Sequence, residues 1–317
     1  MAERAFRQLV SLALVASLPL AVALGLTLFP GEVQRALHGS DAFVQTCLAA
    51  LYGLGQWLPP IGIVVLALAL FAAGVTTWRA LGLLARTRAL TAAFSPVQPP
   101  PLLADAAAGL GIADQVVLFD AHAAAAFTAG IVRPRIYVST AALSDLAGDE
   151  LEAVLLHERA HLRRRDPLRV SVARLIASAL FFVPLADELR RRFEVGKELD
   201  ADRDVVTVQQ RVAPLAGALE HLGRGGAPQV QHVAVAGWSC ASVRIDQLEG
   251  VEVSRLLPAL PARAKWLSAL ALAALVALAL GQGMRANLVP AAAWEVMGGS
   301  TTVSVHVCPL PLEGPLL

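Results

Sequence analysis

Two histidines stand four residues apart in the run His157-Glu158-Arg159-Ala160-His161, with a glutamate directly after the first. On a helix, residues i and i+4 share one face, so both imidazoles can reach one metal ion. The HExxH pattern suits Zn²⁺, with Glu158 beside the coordination position that the protein leaves open. Zinc lowers the pKa of its bound water, and a glutamate placed there takes the proton as the water attacks a peptide carbonyl. With 7 histidines and 13 glutamates in 317 residues, chance produces such a motif in roughly 0.6% of chains of this composition, so coincidence explains it poorly.

A catalytic zinc takes three protein ligands plus water. Five acids follow in the run FEVGKELDADRDV, namely Glu194, Glu198, Asp200, Asp202 and Asp204. Helical spacing puts Glu194, Glu198 and Asp202 on one face. Such charge runs are usually solvated, and spacing alone does not choose a ligand among them. For a donor to the transition state, His122, Tyr137, His221 and His232 are available, and each fits a structural role at least as well.

These residues need elements to hold them. From Ser144 to Arg165, Leu151, Val154, Leu155 and Leu162 recur at helical spacing. Ser144 or Asp145 is the expected N-cap, the arginines suit the last turn, and Asp166-Pro167 marks the end. VVLFD and RPRIYVST read as strands, rich in β-branched and aromatic residues. A short helix precedes them, ending near Gly109 or Gly111, and the proline-bearing stretch 86–104 reads as a linker. Residues 168–186 read as an apolar helix, and the acidic run above lies on a charged helix after it.

The surroundings are those of a membrane protein. The chain is 56% hydrophobic and 16% charged, against about 25% charged in a soluble domain. This excludes a purely soluble enzyme, a disordered regulator and a disulfide-dense module, while a net charge of +1 lacks the basic footprint of a nucleic-acid binder. Of the 51 charged residues, 41 fall between Arg79 and Arg263. Charge-free stretches flank that block. Spans are expected at about 8–29, 61–80 and 264–284, each long enough for a bilayer core. Residues 43–58 read as an interfacial helix, with a further span as the alternative. Trp57, Trp78 and Trp266 mark segment ends. Lysines and arginines near the span ends put the charged block on the cytoplasmic side. Cys47 and Cys308 would then share the outer side, where a bridge and two free thiols are equally compatible, and Cys240 would lie inside.

FTAGIVRPRIYVS, HERAHLRRRDPL and ELDADRDVV, occurring in that order, resemble the BlaR/MecR family of membrane zinc metallopeptidases and, more distantly, HtpX-type and CAAX-prenyl-protease metallopeptidases. The resemblance covers roughly residues 120–206. It implies a mainly α membrane protein in which two N-terminal and one C-terminal transmembrane helices surround an α+β gluzincin-like zinc peptidase domain. Residues 1–85 would be the N-terminal anchor, 86–263 the cytoplasmic peptidase domain, 264–284 the last span and 285–317 a short extracytoplasmic tail. It implies one Zn²⁺ per chain, with Glu198 as third ligand after His157 and His161, Asp202 and Asp166 supporting the ligands, and Glu158 catalytic. Phe127, Thr128, Ala129 and Gly130 would form a strand edge that binds substrate in extended form.

The implied setting is the bacterial inner membrane, spanned several times, with the peptidase on its cytoplasmic face. The implied partners are the lipid bilayer, a protein or peptide substrate such as a BlaI-like repressor, and optionally a second copy as a homodimer. No direct nucleic-acid contact is expected. The tail holds no room for the family's penicillin-binding domain, so antibiotic acylation is not expected as a trigger. Membrane-protein quality control and a non-catalytic receptor or scaffold are the alternatives. One constraint is internal: if residues 168–186 crossed the bilayer once, Glu198 and the histidine pair would face opposite sides, so this helix must be buried or lie at the surface.

Overall fold

The computed structural model of the chain describes residues 1–28, 61–224 and 241–288. The expected helix 43–58, all three cysteines and His232 lie outside these residues.

Three described helices are long and apolar enough to cross a membrane. They are α1 (Ala2–Leu28), α2 (Ile61–Ala93) and the last helix of the described residues (Ala262–Leu288). Each reaches beyond the expected apolar stretch, because a helix continues while its backbone hydrogen bonds do, whatever the bilayer thickness. The first turns of α1 are a packing surface: Ala2, Ala5 and Leu9 are buried, and Phe6 lies 5.1 Å from Phe193 between ring centroids.

The stretch read as a linker carries β1 (Pro96–Val97) and opens α3 (Pro101–Gly109). A four-stranded sheet of order β1-β2-β4-β3 follows, with β2 (Val116–Phe119), β3 (Ala126–Ala129) and β4 (Arg135–Ser139). β2 and β4 run parallel, while β3 pairs antiparallel with β4 and forms the outer edge. Alternation along β4 sends Ile136 and Val138 into the core with Leu151 and Leu155. It sends Tyr137 to the other face, where it stacks on Phe127 at 5.4 Å beside Phe94. Gly130 ends β3 at φ +109, and a Cβ there would sit 2.6 Å from the Arg133 carbonyl oxygen, so the turn out of the edge strand requires glycine.

Between the sheet and the histidines the chain forms two helices where the sequence suggests one. α4 (Thr140–Asp145) is capped by Ser139, whose hydroxyl accepts the Ala142 N–H at 3.0 Å. The backbone then extends at Leu146 and Ala147, which buries Leu146, before α5 (Gly148–Arg164) starts. Neither Ser144 nor Asp145 caps α5. Instead the Glu150 carboxylate accepts the Ala147 N–H at 2.9 Å, one half of a capping box. Arg165 closes α5 in the left-handed conformation (φ 53). The chain turns at once into α6 (Asp166–Ala179), with Pro167 in the first turn where no N–H is missed.

α6 ends before the expected limit. Pro184 opens α7 (Pro184–Gln209) instead of lying within α6, for the same reason. α6 packs against α1, α2 and α7. α5 in turn packs against α7. α7 crosses α5 and carries the acidic run, and Gly196 on it lets α1 approach, since a Cβ there would be 3.2 Å from Ala2 Cα. α8 (Ala213–Arg224), α9 (Ala241–Leu248), α10 (Val253–Leu256) and the apolar α11 (Ala262–Leu288) complete the described chain.

Candidate metal centre

α5 presents His157 and His161 on its buried face, each 6% exposed. Their Nε2 atoms lie 3.0 Å apart. One oxygen of Glu198, Oε2, lies 3.3 Å from the first and 3.4 Å from the second. A tetrahedral ion with bonds of about 2.0–2.1 Å holds its ligand atoms about 3.3 Å apart. The three atoms thus have the spacing of ligands to one ion, and two imidazoles with a carboxylate are a donor set suited to zinc.

The other ring nitrogens face carboxylates. His157 Nδ1 lies 2.8 Å from Asp202 Oδ1, and His161 Nδ1 lies 2.7 Å from Asp166 Oδ2. An Nδ1–H donated outward leaves Nε2 as the ring atom that faces the other ligands, and once that atom is deprotonated the carboxylate raises its basicity. The expected supporting acids therefore do meet the rings. The remaining acids of the run are engaged elsewhere. Glu194 bonds Arg174 and Arg190 at 3.0 and 2.9 Å. Asp200 accepts the Ala2 N–H at 3.0 Å, and Asp204 pairs with Arg164 at 2.6 Å. Geometry selects Glu198 where spacing could not.

Two cations complete the cluster, and the sequence reading missed both. Arg244 on α9 forks onto Asp202, its Nη2 to Oδ1 at 2.6 Å and its Nε to Oδ2 at 2.7 Å. Lys197 donates to Glu198 Oε1, so Oε2 alone faces the imidazoles. Lys197 was hidden in a run that reads as a solvated face. Nothing local marks Arg244, which reaches Asp202 across 42 residues.

This charge balance sets the protonation states. Burial opposes the ionised form of Glu198, but Lys197 and His161 overcome it and hold the carboxyl well below its usual range. Burial likewise opposes a charged His161, yet Glu198 and the bond to Asp166 prevail over it and over Lys197, and push its pKa up to about 9. Burial works against Asp202 too, and Arg244 with His157 pulls it down.

Glu158 is buried and lines the same cavity as the histidines. Its Oε2 accepts the Thr128 hydroxyl at 2.7 Å, and the same hydroxyl reaches its carbonyl oxygen at 3.1 Å. Thr128 thus ties the edge strand to α5. Phe127 is 3% exposed and stacked on Tyr137, so Thr128 is the polar side chain that β3 brings to the cavity, and as the outer strand β3 leaves one backbone edge without a strand partner among the described residues. Of the donors considered for the transition state, Tyr137 belongs to the aromatic cluster, His221 lies 3.9 Å from Glu150, and His122 is exposed. None of these three lines the cavity.

A buried His-His-carboxylate cluster on crossed helices, beside an edge strand, in a chain with candidate membrane helices, defines the class of membrane-associated metallopeptidases. The family model described as BlaR1 peptidase M56 matches residues 50–214, just over half of the chain, and the chain belongs to this family. Arg244 lies beyond the matched residues. No curated protein and no solved structure gives a match.

Proposed function

We propose that the chain is a zinc endopeptidase of the cytoplasmic membrane face, in which His157, His161 and Glu198 hold one Zn²⁺. The observation that carries this is a single oxygen, Glu198 Oε2, equidistant within 0.1 Å from two imidazole nitrogens at 3.3 and 3.4 Å. Bound zinc would supply a water of lowered pKa and a Lewis acid for the scissile carbonyl. Asp166 and Asp202 keep the rings in the tautomer that offers Nε2. Glu158 takes the proton from the attacking water on one carboxylate oxygen and passes it to the leaving nitrogen. Thr128 steers Glu158 through Oε2. The backbone of residues 127–130 pairs with an extended substrate, which favours position over sequence.

The arginines flanking the candidate spans support a cytoplasmic site. Membership of the family supports a regulatory protein, such as a BlaI-like repressor, as substrate. Replacing Glu158 by Gln tests the mechanism. Zinc stoichiometry should be retained, while proteolysis falls by about 10²–10⁴-fold, the usual contribution of a general base. Equal cleavage by both proteins would refute the assignment. Comparing cellular protein N-termini between wild-type and Glu158→Gln strains identifies the substrate in the same experiment.

A further inference from the structure

A second hollow adjoins the catalytic cavity. It lies between α2 and the corner where α6 passes into α7, and Leu83, Arg86 and Arg174 line both spaces. Among the described residues, four arginines face this hollow, Arg79, Arg86, Arg174 and Arg190, together with Asp187 as the sole acid on its wall. Their pairing is incomplete. Arg174 and Arg190 share Glu194, and Arg190 also bonds Asp187 at 2.7 Å. Asp187 is drawn off as well by Arg191, at 2.8 Å. Among the described residues, Arg79 donates only to the neutral hydroxyl of Ser178. Arg86, exposed on the shared wall, has no carboxylate partner among the described residues. The hollow therefore carries a surplus of positive charge and of guanidinium N–H groups, the donors that match carboxylates two at a time.

We infer that this basic hollow takes an acidic segment of the protein substrate, lying outside the residues that flank the scissile bond. The inference rests on the peptidase reading above and adds the substrate's chemistry to it. A chain leaving the β3 edge meets Arg86 where the two spaces share a wall. Backbone pairing along β3 is indifferent to sequence, so an arginine-lined annex supplies the discrimination that the edge strand lacks. Anionic lipid is the competing occupant, because Trp78 and Phe181 are exposed beside the hollow. Adjacency to the catalytic cavity favours the peptide.

The test uses the full chain in nanodiscs of phosphatidylcholine, zinc-loaded, with Glu158→Gln blocking turnover. Fluorescence anisotropy compares peptides sharing one apolar core and extended on either side by Asp/Glu, by Asn/Gln or by Lys. The acidic extension should bind at least about tenfold more tightly on one side, with the advantage shrinking as salt rises. Arg86→Glu should abolish that advantage and favour the lysine peptide, while Arg86→Gln should abolish it without reversal. Equal affinity for all extensions overturns the inference. So does an Arg86→Glu effect confined to retention of phosphatidylglycerol, read in parallel nanodiscs doped with that lipid, which would assign the hollow to lipid. Wild-type enzyme separates the two levels: cleaving all peptides equally defeats only the acidic-segment inference, whereas cleaving none of these peptides or of the native substrate defeats the peptidase reading.

Discussion

His161 is steadied by a carboxylate five residues further along the chain, across the tight turn from α5 into α6. His157 is steadied by a carboxylate on α7, which is gripped in turn by an arginine on α9. The two halves of the centre serve the same end by different routes. The Asp166 half is local, and one oxygen of Asp166, Oδ1, has no hydrogen-bond partner among the described residues. The Asp202 half spans three helices, and both oxygens of Asp202 are taken. The local half depends on one turn being made correctly. The distributed half depends on the whole domain being assembled, so it ties metal binding to the tertiary fold.

The largest effect should come from the residue that both halves share. Glu198→Ala removes the oxygen that meets both imidazoles and should weaken zinc binding by roughly 10³-fold or more, given binding energies of about 10–16 kcal/mol spread over a site's ligands. Glu194→Ala, one turn earlier, should leave affinity within a few-fold and cost stability only through Arg174 and Arg190. Competition against a chromophoric chelator measures both. The reverse ranking would move the third ligand to Glu194 and dissolve the comparison, because Asp202 would then support the wrong partner.

The next effect separates the halves. Asp202→Asn leaves a buried guanidinium without its counter-charge, at a cost of about 3–5 kcal/mol in stability, and should lower zinc affinity by about 100-fold. Asp166→Asn still accepts from His161 Nδ1, and its amide group occupies the place of an oxygen that bonds nothing. About tenfold in affinity and little change in Tm should follow. Thermal unfolding with and without chelator, alongside zinc titration, gives both numbers. Equal losses for the two variants would show that Arg244 adds nothing to the support of His157.

The same division explains what could be read from the sequence. HExxH is a contact between neighbours on one helix, so the histidine pair was visible in the order of residues, whereas Asp166 read there only as a helix end and its support of His161 came from the family resemblance. The membrane-length helices were visible too, since apolar length is a property of single segments. The third ligand was not, because helical spacing offered Glu194, Glu198 and Asp202 on equal terms. Only resemblance to a family preferred one of them. Arg244 and Lys197 were invisible for a further reason: a buried cation is betrayed by the anions packed on it, and those lie on other elements or in a run that looks solvated. The break at Leu146–Ala147 was missed because a buried leucine there outweighed the capping preference of Ser144 and Asp145.

The smallest effect concerns protons and again touches the two halves unequally. In the metal-free protein the pKa of His161 is raised from 6.5 to about 9, so at pH 7 its imidazole is charged, and the stability this adds is lost as pH rises through 9. A ligating imidazole must be neutral, so zinc entering at pH 7 should expel about one proton from this residue. Affinity should therefore climb by close to tenfold per pH unit from 7 towards 9 and flatten above. Asp166 is one of the groups that hold the proton in place. Asp166→Asn should accordingly lower the pH at which the climb ends, a signature that loss of packing alone would not produce. Calorimetry in buffers of differing ionisation heat counts the protons, and chelator competition across the same range gives the slope. An affinity independent of pH between 7 and 9 would show His161 already neutral before the metal arrives, and would leave Asp166 a role in orientation only.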